Sequence, residues 1–463
     1  MSSTERLPDV EANLKRTITM PQAIGVSFHQ VVGGGVIALM GVGIALTGAG
    51  ASIAFVIAAA AVTVYSLPLA ALGSGMPVTG GRYSYAARLF SPSWGFVTMW
   101  FSILVTIQLS LMALAGAKYV HTLAPSVPVR PLALAIMTAF FLTNLFGVTF
   151  SSRLGIALAA VMLCAFGMYA GFGLPAVHWS VFTDLAPNGI GNLLTAAAFL
   201  SFACMGSSYV AEIGSEMREP KRDVPLSMIA GIVIAVALYV LVAIPSVGVL
   251  GVAQAAGKPM SVVAEHILSP AGFAFFVLGG AMLSVIGHIN SLLLTATKPV
   301  LAAVGDGWFP APLGAVNKRF GTPHWLLFVM YLIGVVPVVA GFSVASIAGM
   351  VSVAATPMIA IMIIASLRLR TRFPERHGSA PFRMRRGTHL ATVVIGIAVL
   401  AIQDYLLLGK LTVPADLALA AWIVVGLAVW MLRRRRVIRS SRDSTDTDSV
   451  TPARTAAATE SPA

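Results

Sequence analysis

Apolar residues run through this chain in about twelve blocks, separated by short stretches where Pro, Gly and charged residues collect. The blocks cover approximately residues 18–46, 49–72, 93–121, 131–149, 154–174, 189–215, 224–250, 271–298, 323–340, 344–367, 388–409 and 415–432. Each is near the ~20 residues that an α-helix needs to cross a bilayer. The pattern predicts an all-α integral membrane protein with about twelve transmembrane helices. The first block is too long for one straight span, and Gly33-Gly34-Gly35 interrupts it. Glycine lowers helix stability by about 1 kcal/mol per residue relative to alanine, so three in a row mark an unwound point. A second interruption, Phe202-Ala203-Cys204-Met205-Gly206, falls in the sixth block.

In lipid, unwound backbone is tolerated only where it is buried in protein or lines a cavity. Paired interruptions at matching places in two halves of a membrane protein point to a solute site. A broken first span, four unbroken ones and a broken sixth suit two five-helix units of inverted topology. These would occupy residues 18–174 and 189–367, with two extra helices in 388–437 completing a permease domain over 18–437. Pro68, Pro245, Pro337 and Pro357 also lie in spans, where proline kinks are ordinary.

Composition agrees: 57% of residues are hydrophobic, 10% are charged and the mean hydropathy is +0.88. Soluble domains carry roughly 25% charged residues. The net charge of +13 is explained by position and not by nucleic acid. With the N-terminus taken as cytoplasmic, 26 Lys and Arg fall on the inner side, and Lys118, Arg130, Lys258 and Lys410 on the other. That asymmetry is the positive-inside rule, and it places both termini in the cytoplasm of a multi-pass protein of the cell membrane. The Arg433–Arg436 run reads as an anchor beside lipid headgroups. Residues 1–17 lack the features of a signal peptide and read as a cytoplasmic tail. The Ser/Thr/Asp/Ala-rich stretch 438–463 reads as a disordered cytoplasmic tail.

The interruptions carry the candidate chemistry. Around Gly33, Gly34, Gly35 and Val36 the last carbonyls of one half-helix and the first N–H groups of the next lack intrahelical partners. The N–H end suits a carboxylate and the carbonyl end an ammonium group. Phe202, Ala203, Cys204, Met205 and Gly206 repeat the arrangement, so two facing breaks could hold a zwitterion without a charged side chain. The alternative is that the glycines simply let helices pack closely.

Gln108 in the third span either touches the solute or bridges helices, and Phe202 either closes over it or packs. Asn290 lies beside His288 in the eighth span. Glu212, His29 and His288 are candidates for ion coupling, to a proton or to sodium. Glu212 could instead pair with a basic residue of a cytoplasmic loop, and Glu216 with the Arg218–Arg222 stretch. Cys164 and Cys204 read as small core residues. No phosphate loop, metal-spaced cluster or catalytic triad is present in the sequence, so no cofactor or metal is expected. A membrane-embedded enzyme and a passive channel are the alternatives to a transporter.

Several stretches resemble the amino acid–polyamine–organocation superfamily of permeases, which share the LeuT-type fold. GGGVIALMG at 33–41 is similar to its Gly-x-Gly-Ile-Phe-x-x-Pro-Gly segment. PVTGGRYSYAARLFSPSWGF at 77–96 resembles its first cytoplasmic loop, with a Gly-Gly-x-Tyr element. FACMGSSYVAEIGSEMREPKRDVP at 202–225 resembles its broken sixth helix and following loop, and NSLLLTATKPVLAAVGDGWFP at 290–310 its Asp-Gly-x-x-Pro segment. Met40 and Ser208 stand where the family often has proline and an acidic residue, and the fifth span has no lysine. The resemblance implies secondary active transport of amino acids or related amines by alternating access. By position it puts the cargo's carboxylate at N–H groups around Gly34, Gly35 and Val36. It puts the amine at carbonyls near Val31, Val32, Phe202, Ala203 and Met205, with Phe202 as an aromatic gate.

Overall fold

The computed structural model describes residues 18–449, apart from 34, 79, 147–151 and 318. Every named element among them is helical, and the one β-type contact is an isolated bridge between Ile18 and Met217. Helix α1 (Met20–Val32) starts behind Thr19, whose N–H donates to the Gln22 side chain at 2.8 Å. α2 (Gly35–Thr47) follows the glycine run, and a tight turn at Gly48–Gly50 leads into α3 (Ala51–Gly75). A short α4 (Gly81–Leu89) precedes α5 (Pro92–Val105), α6 (Gln108–Leu123), α7 (Val129–Leu145) and α8 (Ser152–Gly173).

The second half begins with α9 (Ile190–Met205), which tightens into 3-10 turns over Gly206–Glu212 and Gly214–Glu216. α10 (Pro220–Gly248) is followed by three short helices, α11 (Val252–Ala255), α12 (Ser261–Ile267) and α13 (Pro270–Phe275). A wide π stretch over Phe276–Met282 then joins α14 (Leu283–Gly305). α15 (His324–Val339), α16 (Val344–Arg372), α17 (Pro374–Gly378), α18 (Arg386–Leu408) and α19 (Val413–Ser449) complete the chain. Among the described residues, nine helical runs, some of them interrupted, are long and apolar enough to cross a membrane, and α7 and α15 are shorter apolar helices.

Four details differ from the sequence expectation. Phe202, Ala203, Cys204 and Met205 remain α-helical, and the second interruption starts at Gly206, where the helix narrows instead of unwinding. The third span is not continuous: Thr106 and Ile107 form a turn between α5 and α6. There the Thr106 hydroxyl bonds back to the Ile103 carbonyl at 2.5 Å, the kind of local bond that bends helices. The π stretch interrupts the eighth span. Finally, α19 continues through the stretch read as a tail as far as Ser449, and residues 450–463 lie outside the described part.

α1, α3, α9 and α10 form the packed centre, with α16 and α6 closing round it. α18 and α19 lie outside this core, and their faces expose Leu390, Val394, Ile402, Leu417, Val424 and Leu432. In water such a surface would aggregate; against lipid tails it is the expected coat.

The two interruptions are in very close contact. A Cβ placed on Gly35 would lie 2.1 Å from the Ala203 Cβ, and one on Gly206 would lie 2.1 Å from the Gln30 carbonyl oxygen. Both positions therefore require glycine. Gly35→Val and Gly206→Val are each expected to lower stability in detergent by about 1–3 kcal/mol, read as a fall in the thermal unfolding midpoint. Gly167→Ala, where an added Cβ meets nothing within 4 Å, should leave the midpoint unchanged.

Candidate functional site

The two interrupted helices cross reciprocally. α1 packs against the Gly206–Glu212 segment, and α2 packs along α9. Each first half thus meets the other's second half, with main chain against main chain at Gly35–Ala203 and Gly206–Gln30. The Gly33 N–H is taken by the His29 carbonyl at 2.9 Å, which closes the last turn of α1. The first N–H groups of α2 and the last carbonyls of α1 and α9 have no partner within their own helices.

A cavity opens beside this crossing. Gln30, Val31 and Gly35 line it from the first interruption, and Phe202, Met205 and Gly206 from the second. Val105 and Gln108 enter from the α5–α6 bend and His288 from α14. Val351, Ala355, Met358 and Ile359, one face of α16, make an apolar wall. Arg82, Ser208 and Tyr209 make a polar floor. The cavity volume is about 20 Å³. A water needs roughly 10–15 Å³, so this space takes a single water and no larger solute until the walls part.

Three polar contacts organise the surroundings. The Tyr239 hydroxyl on α10 lies 2.6 Å from the Val31 carbonyl and 3.1 Å from the Ala203 carbonyl. It has one proton to donate, so the two helix ends share it. Gln108 donates to the Tyr209 hydroxyl at 2.8 Å, so this side chain both lines the cavity and bridges helices. Arg82 and Glu212 form a buried ion pair, Nε to Oε1 at 3.1 Å. Glu216 pairs with Lys298 of α14 and not with the Arg218–Arg222 stretch. Near the floor, Tyr83 donates to Asp306 and accepts from the Trp308 indole. Burial raises the Asp306 carboxyl above the usual carboxylate range, while the Tyr83 bond and the Arg88 charge pull it partway back.

Of the residues singled out from the sequence, Val31, Gly35, Gln108, Phe202, Met205, Gly206 and His288 line this cavity. Val32, Gly33, Val36 and Ala203 are buried next to it without lining it. Gly34 lies outside the described residues. Cys204 points away, near Tyr65 and Tyr239, because four residues of intact helix put it on another face of α9 from Phe202 and Met205. Asn290 is buried but off the cavity. His29 packs its ring against Gly287 and Phe28, also off the cavity. His288 lies against the main chain of His29 and Gln30, yet neither ring nitrogen makes a full hydrogen bond. Glu212 reaches the cavity only through Arg82.

Sequence reasoning missed Arg82, Tyr209, Tyr239 and the α16 wall. Arg82 was visible only as the variable residue of the Gly-Gly-x-Tyr element. Val351, Ala355, Met358 and Ile359 do have helical spacing, but α16 is apolar on most sides and nothing marks that face.

The sequence model of the family described as amino acid permease matches residues 18–429. A branched-chain amino acid permease of Bacillus subtilis is 25% identical over 460 residues, covering 92% of this chain and 94% of its own length. A methylthioribose transporter of the same species is 24% identical over 451 residues, with the same coverage of both chains. An uncharacterized transporter of Mycobacterium tuberculosis is 27% identical over 324 residues, or 68% of this chain and 72% of its own. These relatives are named as transporters, not enzymes. A match that spans all but the two ends accounts for the apolar helices and the crossing at their centre: the chain belongs to the amino acid permease family and is a membrane transporter of small organic solutes.

Proposed function

We propose that this protein is a secondary active transporter that moves an amino acid or related small organic amine by alternating access. The observation that carries the proposal is the reciprocal crossing of two interrupted helices beside a cavity. Helix ends at mid-membrane offer N–H groups to a carboxylate and carbonyls to an ammonium. The cargo's carboxylate meets the start of α2 at Gly35 and Val36. Its amine meets carbonyls at the end of α1 and in α9, Val31 and Ala203 foremost. The side chain lies against Phe202 and the α16 wall. A cavity too small for any amino acid supports a cycle in which the walls separate to load and release.

The architecture proposed is a five-plus-five inverted repeat with two further helices. The Met20–Gly75 run, turned at Gly48–Gly50, counts as two passes; with α7 and α15 added, the membrane-length runs sum to twelve. An even number puts both termini on one side, and the Lys and Arg distribution makes that side cytoplasmic. The membrane is the cell membrane.

Coupling is assigned to a proton, with His288 as its carrier. This imidazole is 3% exposed, faces the cavity and finds no full hydrogen-bond partner for either nitrogen among the described residues. Beside the carbonyl end of α1, a cationic ring with two donors suits the negative end of a helix dipole. Glu212, already paired with Arg82, fits an ion-pair partner better than a proton shuttle.

Reconstituted in liposomes and offered labelled amino acids and amines, the protein should accumulate at least one of them under an inward proton gradient. Accumulation of none would remove the proposal. His288→Gln should abolish gradient-driven accumulation while cargo exchange continues; unchanged accumulation would assign the proton elsewhere. Tyr239→Phe deprives two buried carbonyls of their donor and should raise the apparent KM by roughly tenfold, with a smaller effect on maximal rate. An unaltered KM would contradict the proposed seat of the amine.

A further inference from the structure

The floor of the cavity contains a charged arrangement that ordinary packing does not explain. Arg82 and Glu212 are 2% and 0% exposed. Besides the 3.1 Å contact, the Arg82 N–H donates to the same Glu212 Oε1 at 3.2 Å, and the guanidinium stacks 3.7 Å above the Tyr209 ring. Thr98 donates to the Arg82 carbonyl at 3.0 Å, and the Gly80 N–H donates to the Glu212 carbonyl at 3.3 Å. Despite this, Arg82 Nη2 and Glu212 Oε2 find no full hydrogen-bond partner among the described residues. Both are strong polar atoms shut away from water with capacity unused.

The pair sits where three elements meet. α4 begins directly after Gly80, which lies in the left-handed region at φ 63°. There a Cβ on Gly80 would come within 3.0 Å of the Lys298 carbonyl, and one on Gly81 within 3.0 Å of the Ala211 carbonyl. The N-terminus of α4 is therefore wedged between α14 and the Gly206–Glu212 segment. Further from the cavity, Lys298 pairs with Glu216, and Ile18 exchanges main-chain hydrogen bonds with Glu216 and Arg218 at 3.1 and 2.9 Å. All these contacts tie α1, α4 and α14 to the segment after the second interruption. Only the Arg82–Glu212 pair also borders the cavity.

We propose that the Arg82–Glu212 ion pair is the releasable closure between the cargo cavity and the side of the membrane where the Gly80–Phe90 segment lies. The proposal rests on reading the cavity as the cargo site of an alternating-access transporter. An apolar seal would expose apolar surface to water whenever it opened. A buried ion pair behaves differently: its desolvation and its mutual attraction nearly offset each other. When the floor opens, water hydrates both charges and reaches the idle Nη2 and Oε2 atoms. The closed and open arrangements thereby stay close in free energy, as a gate used in every cycle requires.

The test uses Ser208→Cys on the floor, in a Cys164→Ala, Cys204→Ala background, reconstituted in liposomes. A membrane-impermeant maleimide is applied from the α4 side, with and without a mixture of the protein amino acids. Glu212→Gln and Arg82→Gln should each raise the labelling rate about tenfold or more. Arg82→Lys, which keeps the ion pair, should label near the parent rate. The exchanged pair Arg82→Glu with Glu212→Arg should fall back toward it. The apolar pair Arg82→Met with Glu212→Leu should unfold at the parent temperature or higher, label no faster and transport poorly, a combination that a merely structural ion pair would not give.

Parent-rate labelling in folded Glu212→Gln and Arg82→Gln proteins, or full transport by the apolar pair, overturns the closure. If the amino acid mixture fails to slow labelling in any background while the charge variants respond as described, the closure stands and the cargo-site reading falls.

Discussion

At the centre of this protein two helices cross with nothing between their main chains. Gly35 lies against Ala203 and Gly206 against Gln30, closer than any side chain permits. This contact fixes where both interruptions sit and brings the polar ends of four half-helices to one depth in the membrane. Buried main-chain groups in lipid must find partners. Tyr239 supplies one hydroxyl proton for two carbonyls, one from α1 and one from α9. The crossing is therefore rigid in packing but incompletely satisfied in hydrogen bonding, which is the state a polar cargo can complete.

Around the crossing the cavity is two-faced. α16 contributes an apolar wall, and the floor is built of Arg82, Ser208 and Tyr209 over Glu212. Packing links the two faces. The Gly206–Glu212 segment lines the cavity with its first residues and supplies the floor's acidic partner with its last. On the proposed reading, a shift of this one 3-10 segment changes both the space for cargo and the seal beneath it. Tight 3-10 turns have poorer hydrogen-bond geometry than an α-helix, so this is the stretch of the sixth span that yields with least loss.

Much of the fold was legible in the sequence because its strongest signals are one-dimensional. Block length gave the membrane helices, and Gly33-Gly34-Gly35 gave the first interruption. The second was found a few residues early, since Ala203, Cys204 and Met205 tolerate a helix as well as a break. What stayed hidden depends on rotation and depth. Cys204 and Phe202 are equally central in sequence but face different ways once α9 remains intact. Arg82 was counted only as a positive charge between two spans; its descent to the cavity floor follows from the wedge of α4 between α14 and the 206–212 segment. The turn at Thr106–Ile107, beside which Gln108 reaches the cavity, is closed by main-chain bonds to Ile103 and Leu104 and leaves no mark in an apolar sequence.

The most direct test of the central claim is an experimental structure of the reconstituted protein with a transported amino acid bound. The account predicts cargo density at the crossing, its carboxylate on N–H groups at the start of α2 and its ammonium on the Val31 and Ala203 carbonyls. Density lodged elsewhere, with both helix ends still sealed against each other, would contradict it.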